Sequence, residues 1–148
     1  MRTKTHQLFY SKENKTNILK ERGVQMKRDM DLIIKVLKYI EEHNTATNNI
    51  VVEIEGYETE EEREMVQYQV KILKDAGYVE AKGTLNPYVI YVKNMTWKGH
   101  DFLDAARNEV VVNKAKEIAK KKGMDFLSLP FEMAKALLVE VTKKALFE

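Results

Sequence analysis

The chain has 148 residues, 44% hydrophobic and 32% charged, with a net charge of +2, which fits one globular domain with a core of ordinary size. It has no cysteine, so disulfides, thiolate metal sites and cysteine catalysis are excluded. No apolar run approaches the roughly 20 residues that a membrane-spanning helix needs, and the longest near the N-terminus, Leu8-Phe9-Tyr10, is too short for a signal-peptide core; a cytoplasmic protein without membrane contact is expected.

Residues 1–25 hold six basic and two acidic residues, and they read as a basic flexible tail with a short helix near 16–21. Two readings stay open. One is a basic arm that touches nucleic acid. The other is a native start at Met26, since Glu21-Arg22-Gly23-Val24 back-translates into a purine-rich tract such as GAAAGGGGT, the form of a translated ribosome-binding site. Residues 26–148 hold 19 basic and 21 acidic residues, a mildly acidic domain.

Asp29 can cap a helix from Met30 to about His43, with Ile33, Val36, Leu37 and Ile40 on one face and Lys35, Lys38, Glu41 and Glu42 towards water. Residues 44–49 are a polar loop rich in side chains that bond their own backbone. Ile50 to Ile54 is β-branched and reads as a strand.

Thr59-Glu60-Glu61-Glu62 is a capping box. Val66, Val70 and Leu73 then recur at helical spacing, widened by Met65, Ile72 and Ala76, and Gly77 follows where a left-handed cap is wanted. The spacing predicts a helix over 60–76. Tyr78 to Ala81 reads as a strand, Lys82 to Pro87 as a turn, and Tyr88 to Val92 as the returning strand. Thr96 caps a further helix whose apolar set is Trp97, Phe102, Leu103 and Ala106. Burial of Ile33, Leu37, Val70, Leu73, Trp97 and Leu103 together is expected.

Asn108 to Lys122 reads as a helix with Val111, Ala115, Ile118 and Ala119 on one side, ending in three lysines and Gly123. Residues 124–129 connect to a last helix opened by Pro130, with the stripe Ala134, Leu137, Leu138, Val141 and Ala145. The predicted architecture is α+β: a winged-helix-like domain over 26–107, made of helix, short strand, helix, β-hairpin wing and helix. A two-helix C-terminal extension over 108–148 packs on it or forms a homodimer face. A strand stands where an ordinary winged helix has its short second helix.

No catalytic constellation is visible. His6, His43 and His100 are far apart, and none has a second ligand at metal-binding helical spacing. His100 with Asp101 and Asp104 is the nearest to a cluster, and a capped helix with a polar face accounts for it. There is no phosphate-binding glycine loop and no nucleophile elbow. Gly99 reads as a point of close approach between helix and sheet. The carboxylates between Glu58 and Glu64 suit a solvated helix start. Neither an enzyme nor a cofactor is expected.

That leaves a macromolecule-interaction module, with a protein partner or DNA. The outward face of helix 60–76 reads Glu60, Glu64, Gln67, Lys71 and Lys74; its acidic first half opposes phosphate and loses the counterion-release contribution to DNA affinity. Gln67, Lys71, Lys74, Lys82 on the wing and Lys93 on the strand are the candidate contact residues. A protein partner is favoured, and the alternative is a winged-helix DNA-binding regulator, which rests on fold analogy.

Met26 to Leu32, Ile54-Glu55-Gly56-Tyr57, Lys74 to Ala81 and above all Met95-Thr96-Trp97-Lys98-Gly99-His100 through Arg107 resemble landmarks of the family catalogued as domain of unknown function 2513, small proteins of phages, prophages and Gram-positive bacteria. The Asn113 to Lys116 segment and the proline-opened last helix also fit, so the resemblance runs from Met26 to the C-terminus. It implies a winged-helix-like fold and a phage setting, and supplies no catalytic residue.

Overall fold

The computed structural model describes residues 26–85 and 88–147. The basic segment 1–25, with the two readings attached to it, lies outside the described residues.

Helix α1 (Met30–His43) starts at Asp29, whose carboxylate accepts the Leu32 N–H at 3.2 Å. Its apolar face, including Met30, Ile33, Leu37 and Ile40, is fully buried. Strand β1 has two residues, Ile50–Val51, rather than the five expected. Helix α2 (Glu60–Asp75) opens with the reciprocal Thr59–Glu62 capping box. It closes in a Schellman motif: the Tyr78 N–H donates to Leu73 O at 2.8 Å, the Gly77 N–H donates to Lys74 O at 3.0 Å, and Gly77 takes φ +83°.

Strands β2 (Val79–Leu85) and β3 (Tyr88–Met95) form the hairpin, with Lys82 paired to Tyr91 and a bulge at Glu80/Ala81. Both strands are longer than expected; Lys82 to Leu85, read as turn, are paired in β2. The antiparallel sheet has the order β1-β3-β2. Its inner face, with Ile90 and Val92, joins α1 and α2 in one apolar core.

Helix α3 (Trp97–Ala106) is capped by Thr96, whose hydroxyl also donates to Gly77 O at 2.6 Å. Its buried stripe is Gly99, Phe102, Leu103 and Ala106. Trp97 is 84% exposed, which corrects its assignment to the core. At 100° per residue it stands about 120–140° away from Phe102 and Leu103, so it cannot share their face. Gly99 does mark a close approach: a Cβ there would collide with the Tyr78 carbonyl and the Met95 side chain.

Helix α4 (Glu109–Lys121) follows, then a 3-10 turn (Phe126–Ser128) with Phe126 buried, then helix α5 (Phe131–Phe147). The α5 residues Phe131, Ala134, Leu138 and Val141 are part of the same core. Phe131 stacks 4.6 Å from the Tyr78 ring and meets Phe102 edge-on at 5.5 Å, which locks α5 to the hairpin and α3. Ala145, placed on the buried stripe from sequence, is exposed, because the last turn of α5 runs past the core.

Arg107, just after α3, grips both carboxylate oxygens of Glu41 at 2.6 and 2.8 Å and also Asp104 at 2.9 Å. Lys116 reaches Asp31 at 2.8 Å and ties α4 to α1.

Two outcomes check this packing. Gly99→Ala should lower stability by about 1–3 kcal/mol, because helix and strand must separate, whereas exposed Asp101→Ala should leave the melting temperature unchanged. The Arg107 hydrogen bonds hold the Glu41 carboxyl below its ordinary value of 4.5. Their stabilisation is therefore complete above that value and lost as pH falls through the depressed one. In an acid titration of unfolding, Arg107→Gln should bring the mutant and native curves together below that pH. The gap at neutral pH should be only about 0.5–1 kcal/mol, since both side chains are partly solvated.

Candidate macromolecule interface

The five residues proposed from sequence do not form one surface. Gln67 is 5% exposed and sits in the core. Its Nε2 donates to Val52 O at 3.1 Å and its Oε1 accepts the Ile90 N–H at 2.9 Å. Ile50 pairs with Val92 and Val51 with Tyr91, so the next antiparallel pair would be Val52 with Ile90. The Gln67 carboxamide takes the place of that pair. It is a splice between α2 and the sheet, which removes it from the contact residues and explains why β1 stops at Val51.

Lys71 is exposed on α2 but holds Asp75 at 2.8 Å, and that hydrogen bond raises its pKa. Lys74 is exposed near the C-terminal end of α2. Lys82 and Lys93 are exposed on the hairpin; Lys93 alternates with buried Val92, and Lys82 stands opposite exposed Tyr91. This pair therefore lies on the sheet face turned away from the core, while α2 packs on the other. The four candidate lysines therefore fall into two pairs, one on α2 and one on the hairpin.

What the structure does bring together is a groove of about 540 Å³ between α2 and the β1 edge. Val51, Val89 and Tyr88 supply its apolar lining, and Glu53, Glu60, Glu64 and Arg63 are the charged residues around it. A smaller hollow of about 250 Å³ adjoins it through Val52, Glu53 and Arg63 and adds Glu55 and Glu58. Burial raises the Tyr88 phenol. Sequence reasoning missed this groove. The carboxylates from Glu58 to Glu64 were its visible signal, but their neighbours Glu53 and Tyr88 come from other elements.

Among the described residues, no three His, Asp or Glu side chains converge as a metal would require. No described helix is long and apolar enough to cross a membrane.

These features define a small α+β protein: five α-helices among the described residues and a three-stranded antiparallel sheet, with an acidic groove beside the edge strand. The chain belongs to the family described as hypothetical protein (DUF2513), which matches residues 27–125. It is 35% identical over 103 residues to an uncharacterized protein of Haemophilus influenzae (strain ATCC 51907 / DSM 11121 / KW20 / Rd), covering 68% of this chain and 84% of that protein. No solved structure matches. The family match ends at Asp125, so the expected continuation of the resemblance through the last helix is not part of it.

Gln67→Ala should lower stability by about 2–5 kcal/mol in denaturant unfolding, since a carbonyl and an amide lose their buried partner together. A surface contact residue would give no loss, and Lys74→Ala is the matched comparison.

Proposed function

We propose that this chain is a non-enzymatic protein-interaction module of phage or prophage type, built on a winged-helix-like scaffold. Helix, short strand, helix, hairpin and helix follow one another in the order of that fold, with β1 in place of the usual second helix. The partner is a basic protein segment held in the groove between α2 and β1. The observation that carries this reading is the charge around that groove, where Glu53, Glu60 and Glu64 outnumber Arg63. The same carboxylates repel a phosphate backbone from the half of α2 that a winged helix would present to base edges. A second reading, a DNA-binding regulator, draws on Lys82, Tyr91 and Lys93 sharing the outer sheet face.

Fluorescence anisotropy separates the two, with a lysine- and arginine-rich peptide and a DNA duplex offered to the full chain over a salt series. The peptide should bind, and Glu60→Lys/Glu64→Lys should weaken it by about tenfold or more. Duplex binding that is lost in Lys82→Glu/Lys93→Glu and indifferent to the glutamate changes would overturn the protein-partner reading in favour of DNA. Failure to bind the peptide would remove the basic segment as occupant.

A further inference from the structure

Helix α5 has two opposite stripes. Phe131, Ala134, Leu138 and Val141 are buried in the core. Met133, Ala136, Glu140, Lys143 and Phe147 are exposed, and their spacing of 3, 4, 3 and 4 residues sets them along one face of the helix. Met133 is 47% exposed and Phe147 82%; Leu146, beside the stripe, is 71% exposed. Neither Glu140 nor Lys143 has an ion-pair partner among the described residues. All of this lies beyond residue 125, outside the family match.

The order of side chains along the exposed stripe is self-complementary when reversed. From Ala136 onward it reads small, acidic, basic, large aromatic. A second α5 laid antiparallel, with the two-fold axis between Glu140 and Lys143, sets each Glu140 against Lys143 of the other copy and each Phe147 against the other Ala136. Val139 and Leu146 flank the stripe on one side, and the same axis places Val139 of one copy beside Leu146 of the other. Such a contact is isologous and closes on itself, as a two-fold dimer requires. A parallel pair would set Glu140 on Glu140 and Lys143 on Lys143, and a large aromatic would face its own copy.

We infer that the outer stripe of α5 is a homodimer interface, two copies pairing antiparallel through Ala136, Glu140, Lys143 and Phe147. The overlap is 12 residues, about 18 Å of helix. The contact is on a different face from the acidic groove and stands whether or not that groove binds a basic segment.

The test is sedimentation equilibrium of the full chain over a concentration series. The native chain should show a monomer–dimer equilibrium. Glu140→Lys alone and Lys143→Glu alone should each raise the dissociation constant by about tenfold or more, because each places like charges opposite one another twice. The exchange Glu140→Lys/Lys143→Glu should restore dimerisation, since the reversed pair fits the same axis. Both positions are exposed, so circular dichroism melting at a concentration where the native chain is monomeric should be alike for all four chains. A native chain that stays monomeric, single reversals that leave the dimer intact, or an exchange that fails to rescue it would each overturn the proposal.

Discussion

The carboxamide of Gln67 stands where a pair of strand residues would otherwise meet. A primary amide has the same donor and acceptor as a peptide unit, so it can accept the Ile90 N–H and donate to the Val52 carbonyl without leaving either group unpaired. The consequence is that α2 is fixed to the sheet by polar bonds as well as by Val66 and Val70. Buried polar groups of this kind have one satisfactory arrangement and many costly ones. Apolar packing alone would tolerate α2 rotated or slid by a fraction of a turn; the Gln67 bonds do not. Two residues on, Gln69 does the same towards α1: it accepts the Asp29 N–H at 3.0 Å and donates to Lys27 O at 2.8 Å. Asp29 is itself the cap of α1, so α2 sets where α1 begins.

From that pair of splices the rest of the core follows in chain order. The Schellman turn at Gly77 delivers Tyr78 to the interior, where its amide is spent on Leu73 and its carbonyl accepts the Thr96 N–H at 3.1 Å. Gly99 then lets α3 settle against the Tyr78 carbonyl. The Tyr78 ring, wholly buried, receives Phe102 and Phe131, and its phenol is pushed up in pKa by that burial. Arg28 closes the ring of contacts by donating to Ser128 O at 2.8 Å, so the start of α1 meets the turn before α5. The last helix is thus packed on the same core as the first.

Much of this was legible because its signals are local. The Asp29, Thr59, Thr96 and Asn108 caps, the glycines after α2 and α4, and the helical stripes each depend on residues within a turn or two of one another. The hairpin and the short strand before α2 were also legible from β-branched runs. What failed was non-local. Gln67 has the composition of a surface residue, and only the register of β1 against β3 shows that a carboxamide is needed there. The same missing register made β1 too long. Trp97 is apolar but stands off the angle of the buried face, and a large aromatic in the first turn need not face the core. The groove escaped for a related reason: Glu60 and Glu64 belong to a visible acidic run, but Val51, Glu53 and Tyr88 reach them only through folding.

Removing Gln67 from the surface also changes the electrostatics of α2. The helix was read as an acidic half and a basic half joined by a neutral contact residue. With Gln67 buried and Lys71 held by Asp75, the solvent side keeps Glu60, Glu64 and Arg63 at one end and Lys74 at the other. Lys74 sits where the helix dipole is negative, and the glutamates sit where it is positive, so both ends suit the helix before any partner is considered. The excess that remains unbalanced is acidic, and it is concentrated where Glu53 from the segment after β1 joins Glu60 and Glu64. Exposed charges attract over about a Debye length, some 8 Å at physiological salt. Three carboxylates around one groove therefore sum into one local field, whereas Lys82 and Lys93 stand on the outer face of the sheet. Carboxylates thus outnumber the one arginine around the groove, and Val51, Val89 and Tyr88 line it between them.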